Sequence, residues 1–231
     1  MERDGTGTGT AAAVVAVRGE EFREVLPEIA TFSVTVDAWS RDRQEALRQL
    51  TGRVESLREV MDGYRDAIEA RETAGLFVYP ETKRSSEKVS GYRAGTTTTV
   101  TVADFTVLGD LMLRLADRER TAVGGPWWAL RPGSPVHREA RTAAIGDAIA
   151  RAREYAAALG ARVTRLIELS DVGMAERPAV MARAMAFAGH AAPGEGGPQL
   201  DLEPKRQQVR AAIEARFSIS EPTVLDEPPA R

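Results

Sequence analysis

The chain contains no cysteine. Disulfides, thiol catalysis and cysteine-ligated zinc are therefore excluded at once. Histidine is nearly absent too, with only His137 and His190. No apolar run approaches the roughly 18 residues that a helix needs to span a bilayer, so no membrane partner is expected. Neither charge sign dominates. The 31 basic and 34 acidic residues leave a net charge of −3, which implies no general attraction to nucleic acid. The start of the chain also lacks the basic n-region, long apolar core and small-residue cleavage site of a signal peptide. Its one apolar run, residues 11–17, stops at Arg18-Gly19-Glu20-Glu21. The expectation is a cytoplasmic protein. The "GTGTGT" of residues 5–10 precedes the first strand and is followed by no lysine, so it is not a phosphate loop.

What is present is ordinary for a globular protein. Of 231 residues, 43% are hydrophobic and 28% charged, enough to bury a real core. Periodicity predicts strands over 12–18 and 29–38. In the second, Ala30, Phe32, Val34, Val36 and Ala38 form the apolar set. Pro27 stands at its entrance, where a missing N–H does little harm. Ser40 can cap a helix on which Leu47, Leu50, Val54, Leu57, Met61 and Tyr64 form one stripe. That stripe is expected to pack on a sheet rather than in a coiled coil.

A short strand over 72–80 and a polar hairpin lead to "GYRAGTTTTVTVADFTVLGDLM", residues 91–112. Seven consecutive residues here, Thr96–Val102, are β-branched. The even positions are the more apolar and should face the core. Thr97, Thr99 and Thr101 should face solvent or a neighbouring subunit. Asp104 caps the next helix. A strand over 121–130 carries Trp127 and Trp128, which must point to opposite faces. One belongs to the core, and the other is a candidate interface anchor. Ser134 and Pro135 open a long alanine-rich helix that ends at Gly160. Strands over 163–170 and 209–219 follow, the last a candidate sheet edge. Between them, residues 173–205 have no sustained period and are expected to be a mobile excursion.

The predicted order is β-β-α-β-β-α-β-α-β-β. The fold class is α+β, a mixed or antiparallel sheet with helices packed on one face. The expected domain spans 12–220, between tails over 1–11 and 221–231.

Four segments resemble the SIMPL domain family, also called domain of unknown function 541. They are "VVAVRGEEFREVLPEIATFSVTV" with its glycine-glutamate turn, the "GYRAG" strand and its helix, the alanine-rich segment 138–171, and the closing "QQVRAAIEARFSIS". The residues that carry the match, read as structural, are Gly19, Pro27, Ala30, Gly91, Tyr92, Asp147, Ala148, Ala152 and Gly160. Glu28 stands where aspartate is usual in the family, and Arg151 where lysine is usual. The resemblance implies an α+β fold, self-association and a loose link to stress defence. It carries over no catalytic residue.

No catalytic constellation, cofactor motif or metal site is recognised. His137 and Glu139 have the wrong spacing for zinc. A Ser–His–Asp arrangement stays open, although no G-x-S-x-G elbow exists. The leading expectation is a non-enzymatic homo-oligomer. Its candidate interface residues are Thr97, Thr99, Thr101, Trp127 and Trp128. The alternative is a small-molecule binding module lidded by Met174, Met181 and Met185.

Overall fold

The computed structural model describes residues 12–82, 88–171 and 200–226. The order of elements is the predicted one: β1 (Val14–Val25), β2 (Ile29–Ser40), α1 (Arg43–Asp62), β3 (Ile68–Thr82), β4 (Val89–Val102), α2 (Leu108–Ala116), β5 (Thr121–Ala129), α3 (Pro135–Ala158), β6 (Val163–Asp171) and β7 (Gln207–Ile219). Instead of one sheet there are two, ordered β1-β7-β6 and β3-β4-β2-β5. The chain divides into two compact units, each holding one sheet.

The unit that holds residues 25–132 has α1 packed across β2 and β4. Every apolar position predicted for β2 is buried, with Phe32 fully enclosed. Phe32, Val34 and Val36 each contribute about 1.5–3 kcal/mol. From α1, Ala46, Leu50, Leu57 and Met61 enter this core. All pairings in this sheet are antiparallel. The α1 cap is Asp42, not Ser40. Ser40 is still extended as the last residue of β2, and the Asp42 carboxylate accepts the Glu45 amide at 2.9 Å. The predicted strand over 72–80 is much longer, because β3 follows β4 along its full length. Residues 200–205, expected in the mobile excursion, are anchored at their start. Leu202 packs on the core, and the Leu200 carbonyl lies where a side chain on Gly109 would stand.

In the other unit, α3 carries Ala140, Ala144, Ala148, Ala152 and Ala156 on its buried face. β7 buries Val209, Ala211, Ile213, Ala215, Phe217 and Ile219. β7 is the central strand, not an edge. The Ile219 amide bonds the Ala13 carbonyl, while the Gln208 side chain reaches Glu24, so β1 and β7 run in opposite directions. β6 pairs on the other side of β7, also antiparallel. The tail over 1–11, residues 227–231 of the expected C-terminal tail and residues 173–199 of the expected excursion lie outside the described residues. Among the described residues, no helix is long and apolar enough to cross a membrane.

Candidate functional site

Strict alternation in β2 and β4 gives their sheet two unlike faces. One packs on α1 and α2. The opposite face carries two rows of hydroxyls in register, Thr31 beside Thr101, Ser33 beside Thr99 and Thr35 beside Thr97. The Thr35 and Thr97 hydroxyls lie 2.9 Å apart. Thr97, Thr99 and Thr101 are half-buried. The threonine row seen in β4 is thus one half of a double ladder, and β2 supplies the other half.

Toward the β3–β4 hairpin the same face becomes aromatic and charged. Gly91 and Gly95 in β4 leave room for rings from the neighbouring strands. A Cβ at Gly91 would come 2.6 Å from the Trp39 ring, and one at Gly95 would overlap Phe77. Both rings therefore lie directly over the strand. Phe77 stacks on Tyr79 with centroids 5.5 Å apart.

Between the rings sits Asp37. Arg93 and Arg120 both donate to its carboxylate, Arg120 through two nitrogens at 3.0 and 2.7 Å. Arg120 adopts a left-handed backbone, φ 54°. A turn residue in that conformation costs about 1 kcal/mol or more, which its fork on Asp37 offsets. Arg93 also donates to Glu81 at 2.5 Å, and Arg53 bridges the Asp37 carbonyl and Glu119. Burial pushes the Asp37 carboxyl upward, but Arg120 and then Arg93 outweigh it and hold the group below its ordinary value. Two shallow depressions meet at Arg93 and Arg120. One, of about 660 Å³, has Phe77 and Tyr79 as its wall, and the other, of about 400 Å³, has Trp39.

Trp128 shares the core face with Ala30, and Trp127 shares the hydroxyl face with Thr31. Trp128 packs edge-on to Phe105 at 4.9 Å, whereas Trp127 is 56% exposed. Pro27 and Ala30 are buried, and Tyr92 packs partly on the core.

The remaining family-motif residues meet in the other unit. Gly19 is not in a turn, because β1 runs straight through it. The glycine is needed where β1 crosses α3. A Cβ there would overlap the Ala144 carbonyl oxygen and come within 2.8 Å of the Ala148 Cβ. The next amide, Glu20 N–H, donates to Asp147 Oδ2 at 2.9 Å. That hydrogen bond, and then Arg151 at 3.0 Å, lower the Asp147 pKa against the effect of burial. Ala152 continues the same buried face. Gly160 has φ 69° and closes α3, its N–H bonding the Ala157 carbonyl while Ala161 N–H bonds that of Ala156. This is the double bond pattern of a Schellman cap.

His137 lies in the first turn of α3, and His190 and the three methionines of the expected lid lie outside the described residues. Among the described residues, no cluster of three metal-binding side chains occurs. A further cleft of about 610 Å³ opens between α1 and the sheet, where Leu76 on β3 is 67% exposed. The Asp37 cluster escaped sequence reading because its members come from β2, β3, β4, α1 and the turn before β5. Its one signal was a carboxylate at the end of an otherwise hydroxyl-bearing strand face.

A family model described as "SIMPL: Protein of unknown function (DUF541)" matches residues 15–217. The chain is also similar to the "26 kDa periplasmic immunogenic protein" of Brucella melitensis biotype 1 and of Brucella abortus (strain S19). Each is 28% identical over 184 residues, covering 75% of this chain and 72% of the relative. These relatives are named as periplasmic, which overturns the expectation of a cytoplasmic protein. That expectation rested on the pattern of the first residues, which is no property of the folded domain.

Proposed function

The chain belongs to the SIMPL family, and on that premise we propose that it is a non-enzymatic, self-associating protein of the periplasm with an accessory part in stress defence. One observation carries the self-association. Among the described residues, β6 pairs on one side only, and its Leu166, Ile167 and Leu169 are all exposed. An edge strand that exposes apolar side chains invites strand pairing unless another chain covers it. Trp127, exposed on the other sheet, is a second anchor of the kind found at interface centres. The periplasmic placement is taken from the named relatives, and the stress role from the family resemblance.

The test is solution mass by light scattering after size exclusion. The parent should run at a multiple of 25.0 kDa. Ile167→Asp combined with Leu169→Lys should run as a single chain of unchanged helix and strand content. A parent that stays monomeric at high micromolar concentration would refute the reading.

A second reading, small-molecule binding, is favoured by the cleft beside α1. Leu76 lies on the core side of β3, opposite Thr96, yet α1 leaves it uncovered. A melting-temperature rise with an apolar ligand, lost in Leu76→Asp, would support it.

A further inference from the structure

We propose that the outer face of the four-stranded sheet binds an acidic oligosaccharide, laid across the strands from the Phe77–Tyr79 pair, with the Trp39 ring at its flank. The depression beside Phe77 and Tyr79 is lined from β3, β4, β2 and β5, whose outermost members are roughly 14 Å apart at ordinary strand spacing. That is a path for several sugar rings, not a pocket for one small molecule.

The aromatic geometry suits sugars. Phe77 and Trp39 lie over Gly95 and Gly91, so each ring is backed by the sheet and offers only its outer side. A sugar ring presents an apolar C–H face to such a surface. A nucleobase is better held in a slot between two rings. Tyr79, 46% exposed, extends the Phe77 surface and adds a hydroxyl.

The polar geometry suits sugars as well. The Asp37 carboxylate and the Arg93 and Arg120 guanidiniums, each a planar group, are already paired in the groove. Fixed planar groups of this kind hydrogen-bond adjacent hydroxyls with little ordering cost. The Thr35–Thr97 hydroxyl pair continues the floor.

Charge selects the acidic member of the class. The two depressions hold Arg53, Arg93, Arg118 and Arg120 against Asp37, Glu81 and Glu119, a local excess of one positive charge on a chain of net charge −3. Of these four arginines, Arg118 is the one with no ion pair among the described residues, and it stands at the groove's rim. A sugar carboxylate would complete it.

Calorimetric titration of the whole chain at low ionic strength tests this, with tetragalacturonate as probe, maltotetraose as neutral comparison and a short oligodeoxythymidylate as polyanion comparison. Tetragalacturonate should bind, and maltotetraose at least tenfold more weakly. Tyr79→Ala should weaken both sugars about tenfold. Arg118→Ser should weaken only the acidic one, closing the gap between them. Tyr155→Ala, an exposed aromatic change on α3, should alter neither. All three variants must first show the parent melting temperature. No binding of tetragalacturonate, equal affinity for the oligodeoxythymidylate, or a Tyr79→Ala variant that binds like the parent would each overturn the proposal.

Discussion

Gly19 of β1 lies so close to Ala148 of α3 that a Cβ on the glycine would approach the alanine Cβ to 2.8 Å. One residue later, the Glu20 amide donates to Asp147. Two short motifs separated by more than a hundred residues are thus two sides of one strand–helix contact. The glycine removes the side chain that would hold β1 away, and the carboxylate caps the amide that the crossing exposes.

Gly19→Ala should therefore lower unfolding stability by about 3 kcal/mol, because the clash is with helix backbone that has nowhere to move. Urea denaturation measures it. A loss under 0.5 kcal/mol would mean that the crossing is looser than the geometry implies.

Ala152→Glu should cost roughly 3 kcal/mol or more, since it overpacks a closed face and buries an unpaired carboxylate. Arg153→Glu, on the exposed side of the same helix, should stay within about 0.5 kcal/mol of the parent. Similar melting temperatures for the two variants would contradict the assignment of the buried face.

The adjacent tryptophans should behave oppositely. Trp128→Ala removes a ring packed on Phe105 and the core, at a cost of about 2–3 kcal/mol. Trp127→Ala should leave the stability of the isolated chain within about 0.5 kcal/mol. Any larger effect of Trp127→Ala should depend on protein concentration, as an interface contribution must.

Asp37 should make stability depend on acid. Its folded pKa lies below the ordinary 3.8. The carboxylate's contribution is therefore complete above about pH 4, where the unfolded group is also ionised, and is lost as pH falls through the folded value. Asp37→Asn should be less stable than the parent at pH 7, and the difference should shrink at pH 2–3. A gap that is constant across this range would show that the arginine pairing does not stabilise the fold.

Much of the fold was legible in residue order. Period two in β2 and β7 and period four along α3 are local properties, because a side chain's face follows from backbone geometry alone. Caps such as Ser134 and the terminal Gly160 are local for the same reason. These patterns set the number, kind and sequence of the elements, and which face of each is buried.

They could not set which elements become neighbours. Whether β7 lies at an edge or in the centre depends on strand pairing between distant segments, as does the division into two sheets. The Thr97–Thr101 row looked solitary until β2 placed Thr31, Ser33 and Thr35 beside it. The arginine fork on Asp37 arises only because a turn residue 83 positions away is driven to positive φ above the same strand. Gly19 reads as a turn residue in its own context and as a contact residue in the fold. Its missing side chain has a meaning only once α3 is known to cross there. Local conformation follows from neighbouring residues, whereas a site is a coincidence of remote ones, and only the closed tertiary structure brings them within hydrogen-bond reach.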